Sequence, residues 1–480
     1  MIFIVFYSIL GVFQLKLPLS NNNPAINSDI NINPNKFSNA TIVSDNYSLW
    51  NTGDNRYPEI TVDNLGYVHA VWEERTDGWW GIGESEIFYS VYRPLIGWSD
   101  PTCISDNRNN WSTNYCNSPS IAVYNGTVYV AYQELTDGWW GIDSEIVVVN
   151  YTASNGWSNI SVVSDDYTLW NNLSSEEPRI AIDSRGIVHV VWYDGTDVPP
   201  YGTDTEIMYA NYTPATQTWS NATVISDDFT NWNTGASYDP DIAIGTDDAI
   251  HVVWHDHTDS PSEWGNDTEI MYTKYSQTTK KWSNVTAISA VGGWNDGYTE
   301  DAKIGIDKDN NVHVVWRDNS DGGYWGNDIE IFYSMFNGFN WSNATIISDD
   351  YTGWNENSEY DPDIAISPNG TVYAVFSTDQ STIEWGDDWE IVYTYKVPKA
   401  SWSNLTIISD DATLWNNMSS DEPSSYFDNF GNFFVIWQDH TDGWWGSDRE
   451  IMFSVNKGAA STPSSKAQLI ELSIRIQLNI

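Results

Sequence analysis

Seven times, at intervals of 59 to 63 residues, the chain repeats one unit. An apolar strand ends in Trp, an acidic loop of the form T-D-x-x-x-W-G-x-D-x-E-I follows, and W-S-N-x-T-x-I-S-D-D closes the unit. The Glu of E-I falls at Glu86, Glu145, Glu206, Glu269, Glu330, Glu390 and Glu450. A fixed period of this length constrains the fold more than any local signal, because each unit must bury its apolar faces against its neighbours.

Each unit carries four short strand signals, a to d. In the third they are Arg179–Asp183, Ile187–Trp192, Glu206–Tyr212 and Trp219–Ser226, rich in Val, Ile, Tyr and Trp and bounded by Asp, Gly, Asn and Pro. No repeat holds a sustained 3.6-residue apolar period, which argues against helices. Strand a is expected to start just after a Pro in six units (Pro58, Pro119, Pro178, Pro240, Pro362, Pro423), where a missing N–H costs no ladder bond. Its small residues (Ala122, Ala181, Ala243, Gly305, Ala365) suit the crowded strand nearest an axis. Seven four-stranded antiparallel sheets that must cover each other's faces make an all-β, seven-bladed β-propeller. The last unit has strands a to c but no W-S-N strand, and an orphan copy stands at Phe37–Ser44 (F-S-N-A-T-I-V-S). This N-terminal strand is expected to complete the last blade and close the ring.

The reading divides the chain into a leader at 1–20, a polar linker at 21–36, the propeller at 37–457 and a tail at 458–480. Ile2–Phe13 is an apolar run of signal-peptide length. Sixteen N-x-S/T sequons, six of them in strand d, fit a secreted or surface glycoprotein, although a repeated Asn-, Ser- and Thr-rich unit also copies such triplets. Cys103 and Cys116 flank one inter-blade loop, as a disulfide or as two free thiols. In the tail, Ile470 to Ile480 alternates apolar and polar residues as a half-buried strand does. With 20 basic and 66 acidic residues, net −46, the chain is excluded from nucleic acid and anionic membrane surfaces. The charge points to cations, neutral sugars or basic proteins, or to a surface kept soluble in high salt.

Loops of an up-and-down meander alternate between two ends of the sheet. The short a–b turns read as structural, while the b–c and d–a loops share one face and should ring it with Trp and carboxylates. Nine Trp lie in the b–c loops: Trp79, Trp80, Trp139, Trp140, Trp264, Trp325, Trp385, Trp444 and Trp445. They serve either as loop packing or as ligand-stacking faces, a geometry that suits sugars beside acids. The paired acids Glu84/Glu86, Asp143/Glu145, Asp204/Glu206, Asp267/Glu269, Asp328/Glu330, Asp388/Glu390 and Asp448/Glu450, with the upstream Asp77, offer oxygen ligands to calcium. Alternatively each Glu accepts loop N–H groups and locks the turn. The strand b histidines His69, His189, His251 and His313 recur at one position and read as packing. His255, His257, Arg75, Arg317 and His440 break the repetition, which a unique site must do.

The unit, with P-x-I-A-I-D-x-x-G-x-V-H-V-V-W, E-I-x-Y and W-S-N, resembles the repeats of sialidase-like and Asp-box-like propellers over nearly the whole ring. It departs from them in having seven units where sialidases have six blades. Ser348–Trp354 comes nearest to an Asp-box but displaces its Gly, and no arginine triad is evident. The resemblance therefore implies a fold, and function rests on the site. Carboxylates spread evenly over seven blades suit a secreted or cell-surface, non-catalytic binding propeller for a glycan or extracellular protein. The alternative is a sialidase-like, glycan-cleaving enzyme that uses one carboxylate pair on that face.

Overall fold

In a computed structural model, the chain is described at residues 5–8, 11–14, 37–45, 53–75, 85–105, 112–136, 142–164, 171, 173–195, 204–227, 233–260, 265, 267–291, 297–320, 328–348, 358–379, 388–409, 416, 418–443 and 447–458. Seven antiparallel sheets follow one another, and no helix occurs among the described residues. Blade 3 is representative, with strand a at Ser175–Ile182, b at Val188–Asp194, c at Glu206–Thr213, and d as two pieces, Thr218–Trp219 and Thr223–Val224. In the seventh sheet Thr41–Ile42 pairs with Glu450–Asn456, and Phe37 bridges Asn456. The N-terminal strand thus closes the ring, as its isolated copy of the W-S-N signal requires. Separately, Val5–Ser8 pairs with Gly11–Gln14.

Strands a and b alternate side chains between the two faces of a blade, and each face packs on a neighbouring blade. Seven apolar clusters result; one joins Val191, Ile207 and Tyr209 of blade 3 to Ile242, Val252 and Trp254 of blade 4. Trp72, Trp192, Trp254, Trp316 and Trp437, at one position on strand b, are fully buried. In four of them the indole N–H donates to the Asp two residues on, as Trp254 does to Asp256 at 3.1 Å. The strand b histidines are packed as expected: His69, His189, His251 and His313 each meet a tyrosine hydroxyl of strand c at 2.7 to 2.8 Å. The two cysteines are free thiols, Cys116 buried and Cys103 half-buried.

Strand a departs from its expected start. In blade 3 it begins at Ser175, before Pro178, so the prolines lie inside the strand. Every blade has a β-bulge there, with two residues of strand a opposite one of strand b; in blade 1 Arg56 pairs with Glu73 and Glu59 with Val71. The bulge removes the pairing partner that a proline would fail to serve. Its first residue has positive φ in all seven blades: Tyr57, Ser118, Glu177, Asp239, Asp301, Asp361 and Glu422 lie between 48° and 54°. A non-glycine residue in this region carries strain of about 1–3 kcal/mol, and the ring holds seven such residues.

Candidate functional site

The repeated acids sit at the loop-bearing end of each blade. Strand c opens on its Glu in six blades and one residue earlier, at Ser144, in blade 2; the Glu is 4% exposed or less in every blade. A serine from the end of strand d meets it: Ser105 with Glu86, Ser164 with Glu145, Ser226 with Glu206, Ser289 with Glu269, Ser348 with Glu330, Ser409 with Glu390, and Ser44 with Glu450. The same serine oxygen accepts the N–H of the residue after the Glu, at 2.8 to 2.9 Å in all seven blades. One oxygen of every repeated Glu is thus engaged in holding strand d to strand c. The partner acids Asp143, Asp204, Asp267, Asp328, Asp388 and Asp448 are less buried than the glutamates.

Opposite each Glu, strand b places a second polar residue, an acid in six blades: Glu74, Glu134, Asp194, Asp256, Asp318 and Asp439, all buried. Hydroxyls from strand a serve three of them, Ser175 on Asp194, Ser237 on Asp256 and Ser420 on Asp439. Blade 6 exchanges the roles, with Thr378 on strand b donating to Glu359 on strand a at 3.0 Å. Every blade therefore buries two carboxyl groups near each other. Burial, followed by the neighbouring acids, pushes Glu206 and Glu450 up to about 9, against the lowering by their serines. Burial likewise pushes Asp318 up to about 6. A proton is held where charge would be costly.

Repetition breaks at the axis. The positive-φ residues form a ring around a central cavity of about 230 Å³, with Tyr57 and Ser118 on one side and five consecutive acids on the other. A second ring lies two residues further along strand a: Glu59, Ser120, Arg179, Asp241, Lys303, Asp363 and Ser424. It fastens neighbouring blades. Glu59 accepts Ile121 N–H at 2.7 Å, Asp241 accepts Ile304 N–H at 2.8 Å, and Asp363 accepts Ser425 N–H at 2.6 Å. Arg179 and Lys303 offset this ring's three acids. In the first ring Asp301 is paired with Arg317, and burial raises Glu177, Asp239, Asp361 and Glu422. Burial, then Asp239, pushes Glu177 up to about 8, and Glu177 hydrogen-bonds Asp239. Burial, then Asp301 and Asp421, pushes Asp361 up to about 6.

Behind the first ring stand the asymmetric strand b residues. Arg317 bonds Glu300 at 2.5 Å and Asp301 at 2.6 Å, and its guanidinium lies 5.0 Å over the Tyr360 ring. His255 is buried, 3.4 Å from Asp239, and packs on Tyr238. Burial lowers its pKa to about 4, so it is a neutral imidazole near pH 7. His257 is exposed and edge-on to Tyr238 at 5.7 Å. His440 is 4.0 Å from Asp421, and Arg75 pairs with Glu73. Of the sequence candidates, the fold thus brings His255 and Arg317 to the axial ring, with His257 just outside. The nine loop Trp, with Asp77 and Glu84, lie outside the described residues. The ring itself escaped sequence reasoning. Its only signal was a varying residue before an otherwise regular proline, a place where φ is ordinarily negative.

With that geometry established, the ring can be compared with solved propellers. A PL25 ulvan lyase bound to GlcA(1-4)Rha3S aligns with a TM-score of 0.52 at 10% identity, over 88% of this chain and 98% of that one. The intramolecular trans-sialidase of Ruminococcus gnavus, complexed with oseltamivir carboxylate, gives 0.42 at 9% identity, over 86% and 97%. An α-L-arabinanase of Penicillium chrysogenum, complexed with arabinobiose, gives 0.45 at 11%, over 72% and 94%. At such identities the likeness concerns the fold alone. No family model and no curated protein sequence matches the chain. Fold and repeat define a seven-bladed β-propeller, with a fold similar to that of the ulvan lyase.

Proposed function

We propose that this is an exported carbohydrate-binding propeller that seats its ligand over the axial ring, at the loop-bearing end. The observation that carries this reading is the ring itself. Seven equivalent bulge positions hold Tyr57, Ser118 and five acids, where a purely structural repeat would hold one residue type. Carboxylates accept sugar hydroxyls, Arg317 stands at the ring as the paired cation of Asp301, and Tyr57 offers a face to sugar C–H groups. Acids outnumber cations at the cavity, eight against Arg179 and Lys303, and Arg317 is already paired with Glu300 and Asp301, so sulfated or uronate chains are disfavoured and the ligand class is neutral or amine-bearing glycans. The carbohydrate ligand named for the ulvan lyase supports a glycan reading, and the acid ring argues against its sulfated chemistry. Export rests on the leader-like run and the sequons.

The test is titration calorimetry against neutral, amine-bearing and sulfated oligosaccharides. Binding of the first two groups, weakened at least about tenfold in Arg317→Ala and Asp301→Asn, is expected. Tighter binding of the sulfated group would sink the proposal.

One observation favours a second reading. Burial, then Asp239, raises Glu177 to about 8, so that it holds its proton near pH 7, which is what a general acid for glycoside cleavage requires. Turnover of a glycoside by the intact protein, abolished in Glu177→Gln with binding retained, would replace the binding role with a catalytic one.

A further inference from the structure

A second break in the repetition lies on the opposite end of the ring, between blades 6 and 7. At five blade junctions an aromatic residue of strand c meets the Trp of the next W-S-N segment (W-S-D at Trp98) edge-on. The pairs are Tyr89/Trp157, Tyr209/Trp282, Tyr272/Trp341, Tyr333/Trp402 and Phe453/Trp98, with centroids 5.0 to 5.2 Å apart. Between blades 6 and 7 the closing N-terminal strand supplies the smaller Phe37 instead, 5.5 Å from Tyr393. Blade 6 also lacks the His and Asp that blades 1, 3 and 5 hold together at the a–b turn, as His189 and Asp183 do. Tyr373 and Ser367 take their places.

These exchanges leave a groove of about 710 Å³, within the range of ligand pockets, roughly 300–1,000 Å³. Tyr373 is its centre, against Tyr395 at 5.4 Å and Phe427 at 4.9 Å. Amide side chains stand round the aromatics, among them Asn369, Asn404, Asn429 and Asn456. None of its lining residues is charged, in a chain of net charge −46. Flat aromatic faces edged by neutral donors and acceptors match one ligand chemistry well: rings with apolar C–H faces and equatorial hydroxyls. An anionic or cationic ligand would leave its charge without a partner here.

We propose that this groove is a second ligand site, for a segment of neutral oligosaccharide. It stands on different residues and on the other end of the ring from the axial site, so neither proposal depends on the other.

The experiment titrates the full chain with cellotriose, xylotriose, mannotriose and maltotriose, followed by calorimetry. The protein is produced in a host that adds no N-glycans, because Asn369 and Asn404 stand in sequons and must keep their free amides. At least one trisaccharide should bind. Tyr395→Ala should weaken it about fivefold or more, the scale of one lost aromatic face. Tyr395→Phe should stay within about twofold, and the fold-loss caused by Tyr395→Ala should be the same when it is made in a chain already carrying Arg317→Ala, in which the axial site is weakened. Should Tyr395→Ala fail to fold, Asn429→Ala removes an exposed amide of the groove instead. Three outcomes overturn the proposal. In one, no trisaccharide binds at millimolar concentration. In another, binding is lost in Arg317→Ala and kept in Tyr395→Ala, which places the sugar at the axis. In the third, sedimentation shows a dimer that Tyr395→Ala makes monomeric, so that a second copy of the chain fills the groove.

Discussion

Replacing Glu206 by Gln tests the reading of the buried acids directly. Glu206 is 2% exposed, receives the Ser226 hydroxyl and faces Asp194 across the ladder. Its pKa rises from 4.5 to about 9, with burial as the first cause and Asp204 and Asp227 among the rest. The sign follows from linkage. A group with a raised folded-state pKa contributes stability that is complete below the unfolded value of 4.5. That contribution declines as pH climbs through the window from 4.5 to about 9, because only the folded state still holds the proton. At pH 7 the loss spans 2.5 pH units above 4.5, a ceiling of about 3.4 kcal/mol at about 1.4 kcal/mol per unit. Relaxation of the neighbouring acids lowers the realised figure to roughly 1–3 kcal/mol. The amide needs no proton, keeps an acceptor for Ser226 and can donate to nearby carboxylates. Urea unfolding should therefore show Glu206→Gln more stable than the parent by that amount at pH 7, and equal to it near pH 4.5. If the substitution instead destabilises the ring by more than about 1 kcal/mol at pH 7, the site holds an ionised carboxylate and the argument from burial is wrong.

Four further outcomes are expected. Ser289→Ala leaves the Ile270 N–H and Glu269 without their shared hydroxyl, and should cost about 2–4 kcal/mol in urea unfolding. Gly235→Ala would set a methyl group 2.3 Å from the His257 carbonyl carbon; a loss of about 2 kcal/mol or more is expected, and a neutral result would show that the d–a segment of blade 4 does not pack against the b–c segment. Phe37→Ala removes the ring that meets Tyr393 and Phe433 at the closure, and should lower stability by about 3 kcal/mol, with amide exchange rising first in blade 7. If protons alone neutralise the buried acid pairs, the melt in millimolar calcium should match that in chelator to within about 1 °C; a rise of several degrees that disappears in Glu206→Gln would assign those pairs to metal.

Much of this molecule is legible in its sequence, for a physical reason. A strand-rich unit repeated seven times has one way to bury all its sheet faces, and a missing strand at one end with a spare at the other defines how the ring closes. The packed histidines and strand tryptophans are equally legible, because a residue recurring at one position among apolar neighbours meets the same surroundings in every blade. Strand a is where local reading failed. The x-Pro pairs suggested a strand beginning after the proline, but hydrogen bonding on both sides carries the strand through it by way of a bulge. The seven strained residues then looked like ordinary polar loop positions.

The amino-acid sequence by itself determined the architecture, the blade count and the closure, since these depend on periodicity and on apolar area needing cover. Only the tertiary structure decided where the axial cavity of the proposed site stands. Tyr57, Ser118, Glu177, Asp239, Asp301, Asp361 and Glu422 lie about sixty residues apart in the chain and share a cavity only because the ring brings seven equivalent bulges to one axis. The evenly spaced glutamates that stood out in the sequence are engaged by serines within their own blades. The groove between blades 6 and 7 likewise exists only because residue 37 packs against residues 393 and 433 at closure.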